Sequence, residues 1–146
     1  MKKFSLGKSA GGQDIDYFVM ANPMPSNPGQ IDRSKRVVVY VQANIHAGEV
    51  EGKEAVLMYA RDVLTRNPEV LKRVVLVVCP NFNIDGNEPF STMNRPHQNG
   101  PSSGVGVRHN AELLDLNRDA MKLETSEMRG LLTSVIRYWD PAISLD

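Results

Sequence analysis

The chain has 146 residues, 41% of them hydrophobic and 23% charged, which is size and composition enough for one soluble domain with a real core. Lysine plus arginine number 17 and aspartate plus glutamate 17, so the balance is not that of a partner for nucleic acid or an anionic membrane. The single cysteine, Cys79, excludes an internal disulfide, and no stretch is apolar for long enough to span a bilayer.

Met1-Lys2-Lys3 imitates the start of a secretory signal, but Gly7, Lys8 and Ser9 interrupt it before an apolar region develops. A soluble chain without a signal peptide is expected, with its compartment open. Gln13–Met20 reads as an early strand, and Ala21–Ser34, rich in Pro, Asn and Gly, as a connection. Arg36–Ala43 is a near-continuous, β-branched apolar run, the pattern of a strand covered on both faces. From Glu51 to Arg66, Val56, Tyr59, Ala60, Val63 and Leu64 recur at helical spacing, and Asn67-Pro68 ends the pattern. Val74–Cys79 is a second buried strand, in which Cys79 reads as a small hydrophobe. Strand, helix and strand in so short a span predict a βαβ unit with parallel strands.

Pro80–Glu112 is a long irregular stretch, and loops of that length are often functional. Met128, Leu131, Leu132, Val135, Ile136 and Trp139 then mark a second amphipathic helix. Asp140-Pro141 breaks it, and Ala142–Leu145 begins a third strand that runs to Asp146. The expectation is an α/β fold: one domain over residues 1–146, a mixed, largely parallel central sheet flanked by helices, incomplete at its carboxyl end.

In open α/β sheets ligands bind outside the carboxyl ends of the strands. His46 and Glu49 follow the first central strand, Pro80-Asn81-Phe82-Asn83 follows the second, and Asp146 ends the third. An imidazole and a carboxylate three positions apart can both reach one metal ion, and these are ligand types that a catalytic zinc uses, with a third ligand and an open position besides.

Several motifs occur together and in order: His46-x-x-Glu49, Pro80-Asn81-x-Asn83-x-Asp85-Gly86, Asn94-Arg95 and Leu114-Asp115-Leu116-Asn117-Arg118-Asp119. With them the chain resembles the zinc carboxypeptidases, peptidase family M14, over most of its length from about Lys35 onward. The resemblance implies a zinc-carboxypeptidase-like (phosphorylase/hydrolase-like) fold and a hydrolase that removes C-terminal residues from peptides with one Zn2+. It implies that His46 and Glu49 are zinc ligands and that Asp115 is the carboxylate holding the ring of His46, a partner that metal-bound imidazoles generally have. Asn117 and Arg118 match the pair that grips the substrate's terminal carboxylate, a task suited to a guanidinium fork. Arg95 matches the arginine that stabilises the developing oxyanion.

The departures carry expectations too. The stretch from Arg95 to Asn117 is long, which makes Arg108 a rival for the oxyanion role, and Asp119 stands where many members have asparagine, beside the carboxylate subsite. The family's third ligand, a histidine after a strand such as Ala142–Asp146, lies outside this chain, as do its tyrosine and its glutamate base. The 146 residues alone are therefore expected to have negligible peptidase activity, and the edge of the unfinished sheet invites association.

Other readings of single residues stand beside these. His46 could be a loop histidine without a ligand role, Glu49 a carboxylate favoured by a helix start, and Arg95 an exposed arginine beside Pro96. Asn117-Arg118 could be a solvated turn, although Leu113, Leu114 and Leu116 predict partial burial. Gly104-Val105-Gly106 lacks the strand and helix of a phosphate loop and reads as flexible loop; His97 and His109 read as surface. A deacylase acting on small acyl-amino acids would use the same His46, Glu49, Asn117 and Arg118, and a non-catalytic relative would keep only a carboxylate-binding patch. The size of the Pro80–Asp119 loop favours peptides.

Overall fold

The computed structural model describes residues 1–146. Two strands, β1 (Lys2–Lys8) and β2 (Asp14–Met20), form an antiparallel hairpin. Then come β3 (Val37–Gln42), the helix α1 (Glu51–Thr65) and β4 (Val74–Cys79). A single turn, α2 (Ile84–Asn87), interrupts the long loop. Helix α3 (Ser126–Leu131) runs through a π-helical turn at Leu132–Ile136 into α4 (Arg137–Trp139), and β5 (Ile143–Leu145) follows.

The sheet is mixed, in the order β1-β2-β4-β3-β5. β2 meets β4 antiparallel, whereas β3 pairs in parallel with both β4 and β5. The parallel half thus contains the βαβ unit read from the sequence and presents the carboxyl ends of β3, β4 and β5 on one side.

Alternation along the strands divides the core. Ile15, Tyr17, Val19, Val38, Tyr40, Val75, Val77 and Cys79 point to one face and pack with Met128, Val135 and Trp139. Met20, Leu76 and Val78 point to the other, against Val56 and Val63 of α1. That second face is thinly covered: Val37, Val39 and Val41 are only half-buried, so the strand read as enclosed on both sides is enclosed on one. A single helix spans too little of the sheet, and Tyr59, expected on its inner stripe, is 52% exposed.

Local signals explain the boundaries. Glu51 and Glu54 lie in the first turn of α1, where negative charge complements the helix dipole. Thr125 caps α3 through Met128 N, and Asp140 in the left-handed region (φ 47°) stops α4 before Pro141. The indole of Trp139 donates to Tyr17 Oη at 3.1 Å, and Tyr17 Oη donates to Ser134 O, which satisfies both buried polar groups. No helix is long and apolar enough to cross a membrane.

Candidate metal centre

Beyond β3 the chain turns sharply at Asn44 (φ 64°) and delivers His46, 4% exposed, to the carboxyl side of the sheet. Asn83 fixes this turn from the end of β4. Its Nδ2 donates to Ile45 O (3.3 Å) and Arg108 O (3.0 Å), while its Oδ1 caps α2 through Gly86 N (2.9 Å). The backbones of three separated segments are thereby tied to one buried amide.

The imidazole lies between two carboxylates. Its Nδ1 faces Glu49 Oε1 and Oε2 at 3.1 and 3.2 Å, and its Nε2 faces Asp115 Oδ1 at 3.1 Å. Burial opposes ionisation of Asp115, but hydrogen bonds from His46, Arg108 and Asn117 N outweigh it and hold the carboxyl at about 2. Asp115 is therefore an acceptor at neutral pH, so Nε2 carries a proton. An unprotonated Nδ1 would then turn its lone pair toward Glu49. Two acceptors at 3.1 Å need something positive, either a proton on Nδ1 or a cation between them. One zinc ion at about 2.0–2.2 Å from each could touch both. The donor set fits a metal on this ground, although no group of three or more His, Cys, Asp or Glu side chains is placed to hold one.

Both candidate arginines reach this cluster. Arg95 Nη2 donates to Glu49 Oε1 at 3.0 Å. Arg108 Nε donates to Asp115 Oδ2 at 2.9 Å, with its Nη1 4.0 Å from Glu49 Oε1. Arg108 is thus committed to the carboxylate that holds His46, and Arg95 stands on the Glu49 side. An open cleft of about 370 Å³ is lined by His46, Glu49, Gln42, Asn44, Asn117 and Asp146, among others. Burial pushes the Asp146 carboxyl up, against a hydrogen bond from Gln42.

Asn117 shares the cleft; Arg118 lies outside its lining, its Nη1 donating to Asn117 O at 2.8 Å. Readings of the neighbouring residues need correction. Partial burial of this segment holds only for Leu116, since Leu113 is 79% exposed; its positive φ (61°) turns the side chain to solvent. Asp119 faces the protein, 3% exposed, accepting from Glu124 N, Thr125 N and Thr125 Oγ1, so it anchors the entry to α3 and not a subsite. Burial disfavours its charged form, but the Thr125 and Glu124 hydrogen bonds prevail and its carboxyl is lowered. The Gly104-Val105-Gly106 stretch is fastened by Val105, 5% exposed, pairing with Ser91. His97 and His109 are exposed, as read.

Other contributors gain their roles only in the fold. Asp85 accepts from Ser9 Oγ (2.6 Å) and Gly11 N (2.8 Å), binding the β1–β2 turn to α2. Glu127, 1% exposed, accepts from Ala10 N and Asn110 Nδ2. Asn83 and Asp85 stood in the sequence only as members of the Pro80–Gly86 motif with no role attached, because their partners lie far along the chain.

At the carboxyl ends of its parallel strands the mixed sheet thus presents a histidine and a carboxylate of the types that ligate zinc, with an arginine on each flanking carboxylate. The family profile described as zinc carboxypeptidase, peptidase family M14, matches residues 1–127. The chain belongs to the zinc carboxypeptidases of peptidase family M14. Among curated proteins none matches it. Solved structures share the fold. A proposed carboxypeptidase A from Shewanella denitrificans OS-217 aligns with a TM-score of 0.67 at 19% identity, over 94% of this chain and 32% of its own. A metallo-carboxypeptidase from Burkholderia cenocepacia aligns with 0.66 at 19%, over 93% and 33%. A proposed carboxypeptidase from Burkholderia mallei ATCC 23344 aligns with 0.57 at 20%, over 93% and 31%. The chain spans about a third of the length of these structures.

Proposed function

We propose that this chain supplies one side of the zinc centre of a metallocarboxypeptidase, an enzyme that hydrolyses the last peptide bond of a peptide with a free carboxylate. The observation that carries the reading is His46 held between Glu49 and Asp115 at the carboxyl ends of parallel strands, in a chain of the zinc carboxypeptidase family. His46 Nδ1 and Glu49 would hold one Zn2+, with the third protein ligand from outside these residues. Zinc bound there would supply a Lewis acid and an activated water.

The chain's own side chains do the rest of the positioning. Asp115 keeps the Nε2 proton of His46 and so leaves Nδ1 as the donor atom. Arg95, on the Glu49 side of the cleft, stabilises charge as it develops on the carbonyl oxygen. Asn117 and Arg118 bind the terminal carboxylate, for which Arg118 must swing off Asn117 O. Residues 1–146 form one partial catalytic domain and alone hydrolyse peptides at a negligible rate. β5, whose Ile143 and Leu145 are about half exposed, is the edge through which they associate with further polypeptide.

The test is binding of an acetylated tripeptide to the zinc-loaded chain, followed by amide shifts at Asn117 and Arg118. At least a tenfold preference for the free acid over the C-terminal amide is expected, with loss of that preference in Arg118→Ala. Equal binding of acid and amide would remove the carboxylate site. A small acetyl-amino acid binding more tightly than the tripeptide would turn the substrate class toward acyl-amino acids.

A further inference from the structure

We propose that Gln98 is a positioning residue that fixes Arg95 against the His46–Glu49 turn and latches the 91–105 loop to that turn. The inference rests on the reading of Arg95 given above and extends it to the residue that holds it.

The Gln98 amide works in both directions. Its Oε1 accepts from Arg95 Nη1 at 3.2 Å, and its Nε2 donates to Gly48 O at 3.0 Å. Arg95 Nη2 in turn reaches Glu49 Oε1 at 3.0 Å. Since Glu49 follows Gly48 in the chain, these contacts close a ring: Gly48 carbonyl, Gln98, Arg95, Glu49. Three hydrogen bonds fix the guanidinium and amide planes together, which a single ion pair on a flexible stem would not do.

Packing around the ring is equally demanding. A Cβ on Gly48 would meet Arg95 Nε at 2.5 Å and Cδ at 2.8 Å, so the arginine stem lies flat against a bare backbone. The loop is closed at its base by Ser91 and Val105, which exchange N–H···O bonds of 3.1 and 3.3 Å. Gly104 beside that closure has φ +96°, and a Cβ there would stand 2.4 Å from Ser91 C. Between these ends Gln98 N donates to Arg95 O, a local turn that places both side chains on the same side. The loop therefore has a shaped base, a turn and one polar latch onto the metal-ligand segment.

Only an amide of this length satisfies both partners. Methionine at 98 fills similar space with no hydrogen bond, and glutamate keeps the acceptor for Arg95 while setting a carboxylate against the Gly48 carbonyl. The test compares wild type, Gln98→Met and Gln98→Glu by 15N spectra of the arginine side chains and by amide hydrogen exchange. In the wild type Arg95 is expected to show restricted guanidinium rotation, since both Nη groups are hydrogen-bonded. In Gln98→Met that signature should be lost, in Gln98→Glu it should persist, and in both variants, which lack the bond to Gly48 O, amides of residues 95–105 should exchange about tenfold faster, while Val77 and Val78 in the central strand exchange as before. A Gln98→Met chain that keeps the Arg95 signature would overturn the proposal. So would acceleration of the Val77 and Val78 amides to the same extent, which would show a general structural role. The zinc affinity of His46→Ala separates this from the metal reading: zinc binding that ignores that substitution refutes the centre, whatever Gln98 does.

Discussion

Replacing Asp115 by alanine tests the arrangement of the centre through stability alone. The carboxylate accepts from His46 Nε2 at 3.1 Å, Arg108 Nε at 2.9 Å and Asn117 N at 2.9 Å. Bonds to charged groups contribute about 1.5–3 kcal/mol when sheltered, but the Arg108 side chain is 36% exposed, which reduces its part to ~1 kcal/mol or less. The His46 side chain is only 5% exposed, and leaving its N–H without an acceptor costs about 1–3 kcal/mol. A total loss of ~3 kcal/mol follows for Asp115→Ala, with about half of that for Asp115→Asn, whose amide oxygen still accepts. The assay is urea unfolding followed by the fluorescence of Trp139, the single tryptophan, which is 1% exposed; the midpoint should fall with the m-value unchanged. The pH dependence has a definite sign. The carboxyl sits at about 2 in the fold, below its ordinary 3.8, so its contribution is fully present above about pH 5 and is lost as pH falls toward 2. The gap between wild type and Asp115→Ala should therefore stay constant from about pH 5 to 8 and narrow in acid. A gap under ~0.5 kcal/mol, or one that widens on acidification, would refute the reasoning.

Gly86→Ala should cost more than ~2 kcal/mol, read in the same unfolding assay, because its Cβ would stand 2.6 Å from His109 O and 2.7 Å from Val107 O, both backbone atoms. Cys79 is fully buried and burial pushes its thiol up to about 12, so a thiol reagent at pH 8 should label the native chain at least ~10³-fold more slowly than the unfolded chain. Trp139→Phe removes the donor to Tyr17 Oη and should lower stability by about 1–2 kcal/mol, while Tyr138→Phe, at a 46% exposed position, should change it by less than ~0.5 kcal/mol.

The parts of this fold that were legible are those whose signal is local. β3, β4 and α1 are apolar runs or a helical stripe bounded by Asn-Pro and Gly, and the structure places them within a residue or two of the expected limits. β1 was not legible as a strand. Its sequence KKFSLGK carries three lysines and buries only Leu6, as an edge strand with one wet face does. At the centre, the spacing of His46 and Glu49 was readable, and so was the candidacy of Asp115 and of both arginines. Which arginine sits on which carboxylate was not, because Arg95 meets Glu49 and Arg108 meets Asp115 only after the loop folds back. Asp119 misled for a related reason. A carboxylate in a motif reads as site chemistry, whereas here its oxygens are spent on the backbone of Glu124 and Thr125. Gln98 and Asp85 depend on partners far along the chain, and no periodicity reports such contacts.

The central claim, that His46 and Glu49 share one divalent ion, is tested most directly by the 15N shifts of the His46 ring during titration with zinc. Nδ1 should move as zinc is added, Nε2 should remain an N–H donor to Asp115, and Glu49→Gln should weaken the response at least tenfold. A ring that takes zinc through Nε2, or that does not respond while the chain stays folded, would contradict the account.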